Sequence, residues 1–234
     1  TGKIKDINRL YSGKLMIETV KQKIIDEIFS QGYICTDTLE VQDIINNQFF
    51  IIRNGKKSAL AYYNPFEMRV EKVEKKTVYG VKPRNAEQTF AIHAILNPEI
   101  KLITLQGVAG TGKTLLALAG ALEQRELYKQ IFVTRPVVPL GNKDIGYLPG
   151  DIKSKMDPYM EPLWDNLRFI KNLFSEKDKN RRRIDEMTEN GKIEITPLTY
   201  IRGRSFSREI FIVDEAQNLT PHEVKTIITR AGDN

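Results

Sequence analysis

Apolar residues in the first part of the chain, residues 1–80, repeat with the spacing of one helix and several short strands. Helical spacing over 20–29, followed by Gly32, predicts a helix that ends at the glycine. Two strand-like runs on either side of Asn54-Gly55 predict a β-hairpin with a tight turn. The predicted strands cover 49–53 and 58–63, with a third near 68–73. Residues 1–80 are therefore expected to form a small α+β module.

From residue 81 onward, short apolar runs alternate with helical patterns. Such alternation is typical of a mostly parallel sheet covered by helices on both faces, and it predicts an α/β domain over residues 81–234. The predicted strands are Ile103–Gln106, Ile131–Thr134, Ile193–Thr196 and Ile210–Val213. The predicted helices cover 86–96, 115–122, 161–174 and a segment after Thr220, where Glu223 has capping-box spacing. Residues 137–160 are expected to form a long ordered loop, and 177–183 a basic surface loop.

A glycine-rich segment follows the first of these predicted strands. Residues 107–114 read G-V-A-G-T-G-K-T and fit the phosphate-binding pattern G-x-x-x-x-G-K-[ST]. Its glycines permit positive φ and a close backbone approach, so that loop N–H groups and a helix N-terminus can hold phosphates. Lys113 is placed to reach the β- and γ-phosphates, and the Thr114 hydroxyl to bind Mg²⁺. The predicted site for ATP comprises Gly107, Val108, Ala109, Gly110, Thr111, Gly112, Lys113 and Thr114.

Two acidic residues end the last predicted strand. Asp214 is placed to hold Mg²⁺ opposite Thr114. Glu215 is the candidate to polarise an attacking water, and Gln217 is a candidate sensor of the γ-phosphate. Alternatively, the two acids are solvent-exposed charges at a strand end, and Gln217 belongs to a loop-to-helix cap.

Gln88 has two interpretations that its spacing leaves open. It lies three residues after Asn85, which can cap a helix, so it fits a capping box. A carboxamide can also donate and accept hydrogen bonds at the edge of adenine. The two histidines, His93 and His222, are isolated in the sequence and are expected at the surface or in caps rather than at a metal.

Composition narrows the class of protein. The 234 residues are 41% hydrophobic and 28% charged, which is ordinary for a globular chain. No apolar run approaches membrane-spanning length, and the first 20 residues lack the pattern of a signal peptide. Cys35 is the only cysteine, so no disulfide framework is expected. These features favour a cytoplasmic location, and a net charge of +6 with a pI of about 9.2 fits a nucleic-acid partner.

Five sequence blocks together resemble the PhoH family of phosphate-starvation-type ATPases, over about residues 80–234. They are G-V-A-G-T-G-K-T, V-T-R-P-V-V-P-L-G, D-I-G-Y-L-P-G-D-I, Y-I-R-G-R-S and F-I-V-D-E-A-Q-N. The resemblance implies a RecA-like core related to superfamily 1 helicases, binding of ATP and Mg²⁺, a link to RNA metabolism, and homo-oligomeric rings, expected to be hexamers. Gln88 then falls at the helicase-type glutamine position, which favours its adenine role. Arg202 and Arg204 fall in the R-G-R block, where they would contact RNA or reach a neighbouring subunit's γ-phosphate.

Residues 1–80 resemble the segment that joins a PIN ribonuclease domain to the ATPase in PIN–PhoH fusion proteins. The acidic metal cluster of a PIN domain would precede Thr1, so no nuclease activity is expected from this chain. In RecA-like sheets the strand after the Asp214 position lies between the P-loop strand and the Asp214 strand, and here it would follow Asn234. The domain is therefore expected to be truncated at its C-terminus, with unpaired strand edges and low stability or activity on its own.

The function predicted from these residues and this resemblance is Mg²⁺-dependent ATP hydrolysis linked to single-stranded RNA, with unwinding or translocation left open. One alternative is an RNA-binding switch that holds ATP without hydrolysing it. The other is a P-loop kinase that transfers phosphate to a small molecule. Glu215 favours hydrolysis over both, because it is placed to activate water.

Overall fold

The computed structural model describes residues 13–137, 152–201 and 206–230, with 152–157 and 201 described by their backbone alone. The chain divides into two compact units. The first unit comprises Thr1–Lys76 and Pro83–His93, and the second comprises Thr77–Lys82 and Ala94–Asn234.

The first unit contains a five-stranded sheet. Its strands are β1 (Lys14–Ile17), β2 (Tyr33–Cys35), β3 (Phe49–Asn54), β4 (Lys57–Asn64) and β5 (Arg69–Lys72), in the order β1-β3-β4-β5-β2. All neighbours are antiparallel except β1 and β3, which run parallel. The helices that begin in this unit are α1 (Gln22–Gln31) and α2 (Ala86–Leu96), and a short 3₁₀ turn covers Thr36–Leu39.

Local sequence signals explain the elements of the first unit. Helix α1 buries Ile24, Ile25 and Ile28 in a core shared with apolar residues of the sheet, and it ends where Gly32 takes a left-handed φ of 82°. The predicted hairpin is confirmed as β3 and β4. Its turn lies one residue later than predicted, because Asn54 pairs with Lys57 and leaves Gly55 and Lys56 as the central residues.

His93 packs in an aromatic cluster of the first unit, so the prediction of a surface or capping position was wrong. Its ring lies 4.6 Å from the ring of Tyr62 and meets Phe49 edge-on at 5.8 Å. Phe49 in turn stacks on Phe90 at 4.7 Å. The Nε2 atom of His93 is buried without a hydrogen-bond partner within the described part of the chain. Burial, assisted by the positive charge of Lys76, lowers the pKa of His93 from 6.5 to about 4.

Because of this lowered pKa, we expect the first unit to become less stable as the pH is lowered. The unfolded chain binds a proton at His93 below pH 6.5, whereas the folded unit does so only near pH 4, so stability is complete above 6.5 and is lost as the pH falls towards 4. The free energy of unfolding should drop by about 2 kcal/mol between pH 7.5 and pH 5. Urea unfolding followed by circular dichroism at both pH values measures this drop. The drop between the two pH values should be smaller by about 2 kcal/mol in His93→Phe than in the wild type, and unchanged in His222→Phe. A drop of the same size in both variants would contradict the assignment to His93.

The second unit is an α/β structure, as predicted. Its helices are α3 (Lys113–Glu123), α4 (Ile152–Asn172), α5 (Lys179–Glu189) and α6 (Pro221–Ile228). Its strands are β6 (Gln130–Thr134), β7 (Ile193–Ile195) and β8 (Glu209–Val213), which form a parallel sheet in the order β7-β6-β8. Short 3₁₀ turns cover Leu198–Ile201 and Ala216–Asn218. Helix α3 approaches Ile95 so closely that a Cβ on Gly120 would lie 2.4 Å from Ile95 Cγ2.

The predicted strand Ile103–Gln106 is not formed. Residues 101–108 have no regular secondary structure, and Leu102 is 69% exposed. A strand needs a neighbouring chain to accept its backbone hydrogen bonds, and none of the described strands pairs with this segment. Strand β8 lies at the edge of the described sheet, where it pairs only with β6. The described sheet therefore has three strands rather than the four predicted.

Two predicted loops are helical at least in part. Helix α4 begins at Ile152, inside the predicted loop 137–160, and contains Pro158 and Pro162. Four buried residues at helical spacing explain why the helix continues past these prolines; they are Met160, Leu163, Leu167 and Ile170. Residues 137 and 152–160 are the only part of that predicted loop that the structure describes.

The basic stretch 177–183 leads into helix α5 rather than forming a loop. The Asp178 side chain caps the helix by accepting from the N–H of Asn180. Arg181 donates to the carbonyl of Phe174 at 3.3 Å, and Arg182 to that of Lys177 at 3.1 Å. These two arginines therefore satisfy backbone carbonyls in the segment between α4 and α5.

Candidate nucleotide-binding site

The glycine-rich segment 107–114 runs from a loop into helix α3, which begins at Lys113, and much of the segment is exposed to solvent. Gly110 and Gly112 take positive φ values of 77° and 79°, and Gly112 is the N-cap of α3. Gly107 does not have a positive φ; its lack of a side chain makes room for Thr111, whose Oγ1 would lie 3.1 Å from an added Cβ. Thr111 Oγ1 donates to the carbonyl of Val108 at 2.8 Å, which closes the loop on itself.

Lys113 is the first residue of α3, and its side chain folds back over the loop. Its Nζ donates to the carbonyl of Gly107 at 2.8 Å and to that of Val108 at 2.9 Å. The ammonium group is therefore held against the loop by two carbonyls. A phosphate group with its negative charge is a stronger acceptor for an ammonium group than a neutral carbonyl.

The structure brings Thr114 and Asp214 together, although they lie 100 residues apart in the sequence. Thr114 Oγ1 donates to Asp214 Oδ1 at 2.6 Å. The contact arises because Asp214 directly follows β8, and its N–H continues the ladder by donating to the carbonyl of Thr134 at 2.8 Å. The contact places a hydroxyl and a carboxylate, both hard oxygen ligands, beside the end of the phosphate loop.

Glu215 lies next to Asp214 but has different partners. Its Oε1 lies 3.6 Å from Nη2 of Arg135, and its Oε2 accepts a hydrogen bond from Gln217. The backbone of Glu215 has a φ of 51°, in the left-handed region that non-glycine residues seldom adopt. The predicted residues Glu215 and Gln217 are thus in contact, and Arg135 joins them. Sequence reasoning missed Arg135, although a charged residue directly after an apolar strand was the available signal.

Gln88 belongs to the first unit, and two of its contacts are those of a helix start. Its N–H donates to Asn85 Oδ1 at 2.8 Å, and its own Oε1 accepts from the N–H of Arg84 at 2.7 Å. These contacts are close to a capping box, and they agree with the helix-capping interpretation of Gln88. Its predicted role at adenine stays a prediction.

Arg202 and Arg204, the predicted contacts to RNA or to a neighbouring subunit, lie outside the described residues. Within the described ranges, no group of three or more His, Cys, Asp or Glu side chains could hold a metal ion by itself. No helix among those residues is long and apolar enough to cross a membrane.

The chain is similar to proteins of known family over most of its length. The sequence profile of the PhoH-like proteins matches residues 80–234. The chain is 38% identical to Protein PhoH2 of Bacillus subtilis over 240 aligned residues, which cover 99% of this chain and 53% of that protein. It is 39% identical to Protein PhoH of Escherichia coli K12, over 64% of this chain and 41% of that protein. A PhoH-like protein of Synechocystis is 44% identical, over 65% of this chain and 44% of that protein.

The match to PhoH2 extends over the first unit, of which Thr1–Lys76 lies outside the part matched by the family profile. The chain spans about half the length of the curated relatives it matches. With the profile covering residues 80–234, which include the phosphate loop and both acids after β8, the chain belongs to the PhoH family of nucleotide-binding P-loop proteins.

Proposed function

We propose that this region binds ATP with Mg²⁺ and hydrolyses it, in a protein that acts on single-stranded RNA or is regulated by it. The observation that carries the proposal is the 2.6 Å contact between Thr114 and Asp214. It joins the end of the phosphate loop to the end of β8. A P-loop nucleoside triphosphatase requires a hydroxyl and a carboxylate at these two places to hold Mg²⁺.

The oxygen ligands at this contact fit Mg²⁺. Thr114 and Asp214 would hold the ion together with phosphate oxygens, and the bound ion would neutralise phosphate charge. The loop N–H groups and the N-terminus of α3 would bind the phosphates. Lys113 would exchange its two loop carbonyls for phosphate oxygens.

Glu215 would orient and polarise the attacking water, as a general base close to the phosphate site. Gln217 supports this role, because its amide contacts one of the two carboxylate oxygens. A second function, an ATP-dependent switch without hydrolysis, is supported by the same contacts, since both oxygens of Glu215 already have partners. Turnover measurements decide between the two.

The proposed link to RNA and to a ring rests on the charge of the chain and on two arginines. The net charge of +6 suits a polyanionic partner. Arg202 and Arg204 are the residues proposed to contact single-stranded RNA or to complete the site of a neighbour in a hexamer. Stimulation of turnover by single-stranded RNA would support this part of the proposal.

The test of the Mg²⁺ site compares phosphate release from ATP by the wild type, Thr114→Ala and Asp214→Asn, with and without single-stranded RNA. It is made on this chain and on a version extended past Asn234. We expect each substitution to lower turnover roughly 100-fold and to raise the Mg²⁺ concentration needed for half-maximal rate. The matched control is Thr226→Ala on α6, which removes an exposed threonine hydroxyl that donates to the carbonyl of His222. Turnover with an unchanged Mg²⁺ requirement in both site variants would refute the assignment.

A further inference from the structure

Arg135 lies at the carboxyl ends of the parallel strands, beside the candidate nucleotide site. The proposed function gives this charged residue no role. It directly follows β6, while Asp214 and Glu215 follow β8. The two strands run parallel, with Thr134 opposite Val213. The carboxyl ends of neighbouring parallel strands lie side by side. The pairing of β6 with β8 therefore brings Arg135 to the two acids.

Asp214 and Glu215 contact different residues. Asp214 accepts from Thr114 on the phosphate loop, whereas Glu215 contacts Arg135 and Gln217. The guanidinium of Arg135 lies at one carboxylate oxygen of Glu215, at 3.6 Å, and the amide of Gln217 lies at the other. The carboxylate is thus held from two sides by groups of different kinds.

The backbone on both sides of this contact is also held. The carbonyl of Arg135 accepts from the N–H of Leu198 at 3.4 Å, which ties it to the segment after β7. The carbonyl of Glu215 accepts from the N–H of Asn218 at 3.0 Å, within a turn that gives Glu215 its left-handed φ of 51°. Such a backbone conformation persists only where surrounding contacts enforce it. The backbone that carries the Glu215 side chain is therefore held by the structure around it.

The Arg135–Glu215 pair is better shielded than Arg53–Glu18 and about as shielded as Arg69–Glu71, whose side chains are 35% and 26% exposed. The side chains of Arg135 and Glu215 are 27% and 37% exposed, at 3.6 Å. The pair Arg53–Glu18 in the first unit is 47% and 64% exposed, at 4.0 Å. Pairs with this exposure contribute little to stability, so the role of Arg135 rests on its place beside Glu215 rather than on stability.

We propose that Arg135 is a positioning residue for ATP hydrolysis, which together with Gln217 orients the Glu215 carboxylate towards the attacking water. The inference rests on the proposed function of Glu215. A guanidinium presents its N–H groups in a fixed plane and so restricts the direction of the carboxylate that it contacts. A general base is effective only within hydrogen-bond reach of its proton, so loss of this orientation should slow the chemical step.

The test measures kcat and KM for ATP in the extended version, in the presence of Mg²⁺. The variants are Arg135→Ala, Arg135→Lys, Glu215→Gln and the double variant Arg135→Ala/Glu215→Gln. We expect Arg135→Ala to lower kcat roughly 10-fold with KM unchanged, and Arg135→Lys to recover part of the loss, because lysine keeps the charge without the planar fork. In the Glu215→Gln background, Arg135→Ala should cause no further loss, because the group through which it acts is gone. Arg53→Ala is the matched control, and it should leave both constants unchanged.

Independent losses that multiply in the double variant would overturn the inference. A rise in KM with unchanged kcat would also overturn it, because it would assign Arg135 to nucleotide binding instead. A wild-type protein that binds ATP but never hydrolyses it would remove the proposed function and this inference with it. Urea unfolding of each variant checks its stability; if Arg135→Ala is destabilised, Arg135→Lys with and without Glu215→Gln carries the same comparison.

Discussion

Replacement of Lys113 by Ala is expected to abolish ATP turnover, with a loss of at least about 100-fold. The ammonium group of Lys113 is held over the loop by the carbonyls of Gly107 and Val108, within reach of any phosphate bound there. Its charge would stabilise the negative charge that accumulates on the phosphates during transfer. Phosphate release and the binding of a fluorescent ATP analogue together measure the effect, and both should be impaired.

The loss in Lys113→Ala should be chemical rather than structural. The residues whose carbonyls contact the ammonium group, Gly107 and Val108, are exposed, so water can replace the lost hydrogen bonds and the free energy of unfolding should change little. Lys57→Ala in the first unit, which removes an exposed lysine paired with Asp26 at 3.7 Å, is the matched control. Turnover that survives in Lys113→Ala would show that the phosphate loop is not the catalytic site.

Replacement of Glu215 by Gln is expected to separate ATP binding from ATP hydrolysis. The amide keeps the shape of the carboxylate but cannot accept a proton from water, so turnover should fall roughly 100- to 10,000-fold. Lys113, Thr114 and Asp214 remain, so the affinity for ATP with Mg²⁺ should stay within about threefold of the wild type, because a group that acts only on the chemical step contributes little to binding. Single-turnover measurements with bound ATP give the chemical rate directly.

The matched control for this substitution is Glu189→Gln, an exposed carboxylate at the end of α5. Hydrolysis at the wild-type rate in Glu215→Gln would assign the role of base to another group. A wild type as slow as Glu215→Gln, with ATP bound in both, would favour the switch function. The two outcomes differ in the rate of the wild type itself.

The elements that were predicted correctly depend on signals a few residues apart. The capping box at Thr220 and Glu223 forms as predicted, because its hydrogen bonds join neighbours three residues apart. Helix α1 ends at Gly32, where a left-handed residue is needed and glycine adopts it without strain. Strands β6, β7 and β8 are short apolar runs whose residues alone indicate strands of a parallel sheet, although of the three only β6 is largely buried.

The errors arise where a distant part of the chain decides the outcome. Residues 103–106 have the composition of a strand, but none of the described strands pairs with them. The Gly- and Pro-rich composition of 137–160 suggested a loop, yet α4 begins at Ile152, and burial of its apolar stripe outweighs the cost of Pro158. His93 looked like a surface residue, but Phe49 and Tyr62 arrive from strands far away in sequence to surround it.

The same distinction applies to the candidate site. The sequence by itself determined which groups could bind phosphate and activate water, because the loop 107–114 and the acids at 214 and 215 are recognisable from their immediate neighbours. Only the tertiary structure decided that Thr114 meets Asp214 while Glu215 meets Arg135. The physical reason is that the parallel pairing of β6 with β8 sets which residues lie side by side at the carboxyl ends of the strands. That pairing joins segments about 80 residues apart, which no local sequence pattern can reveal.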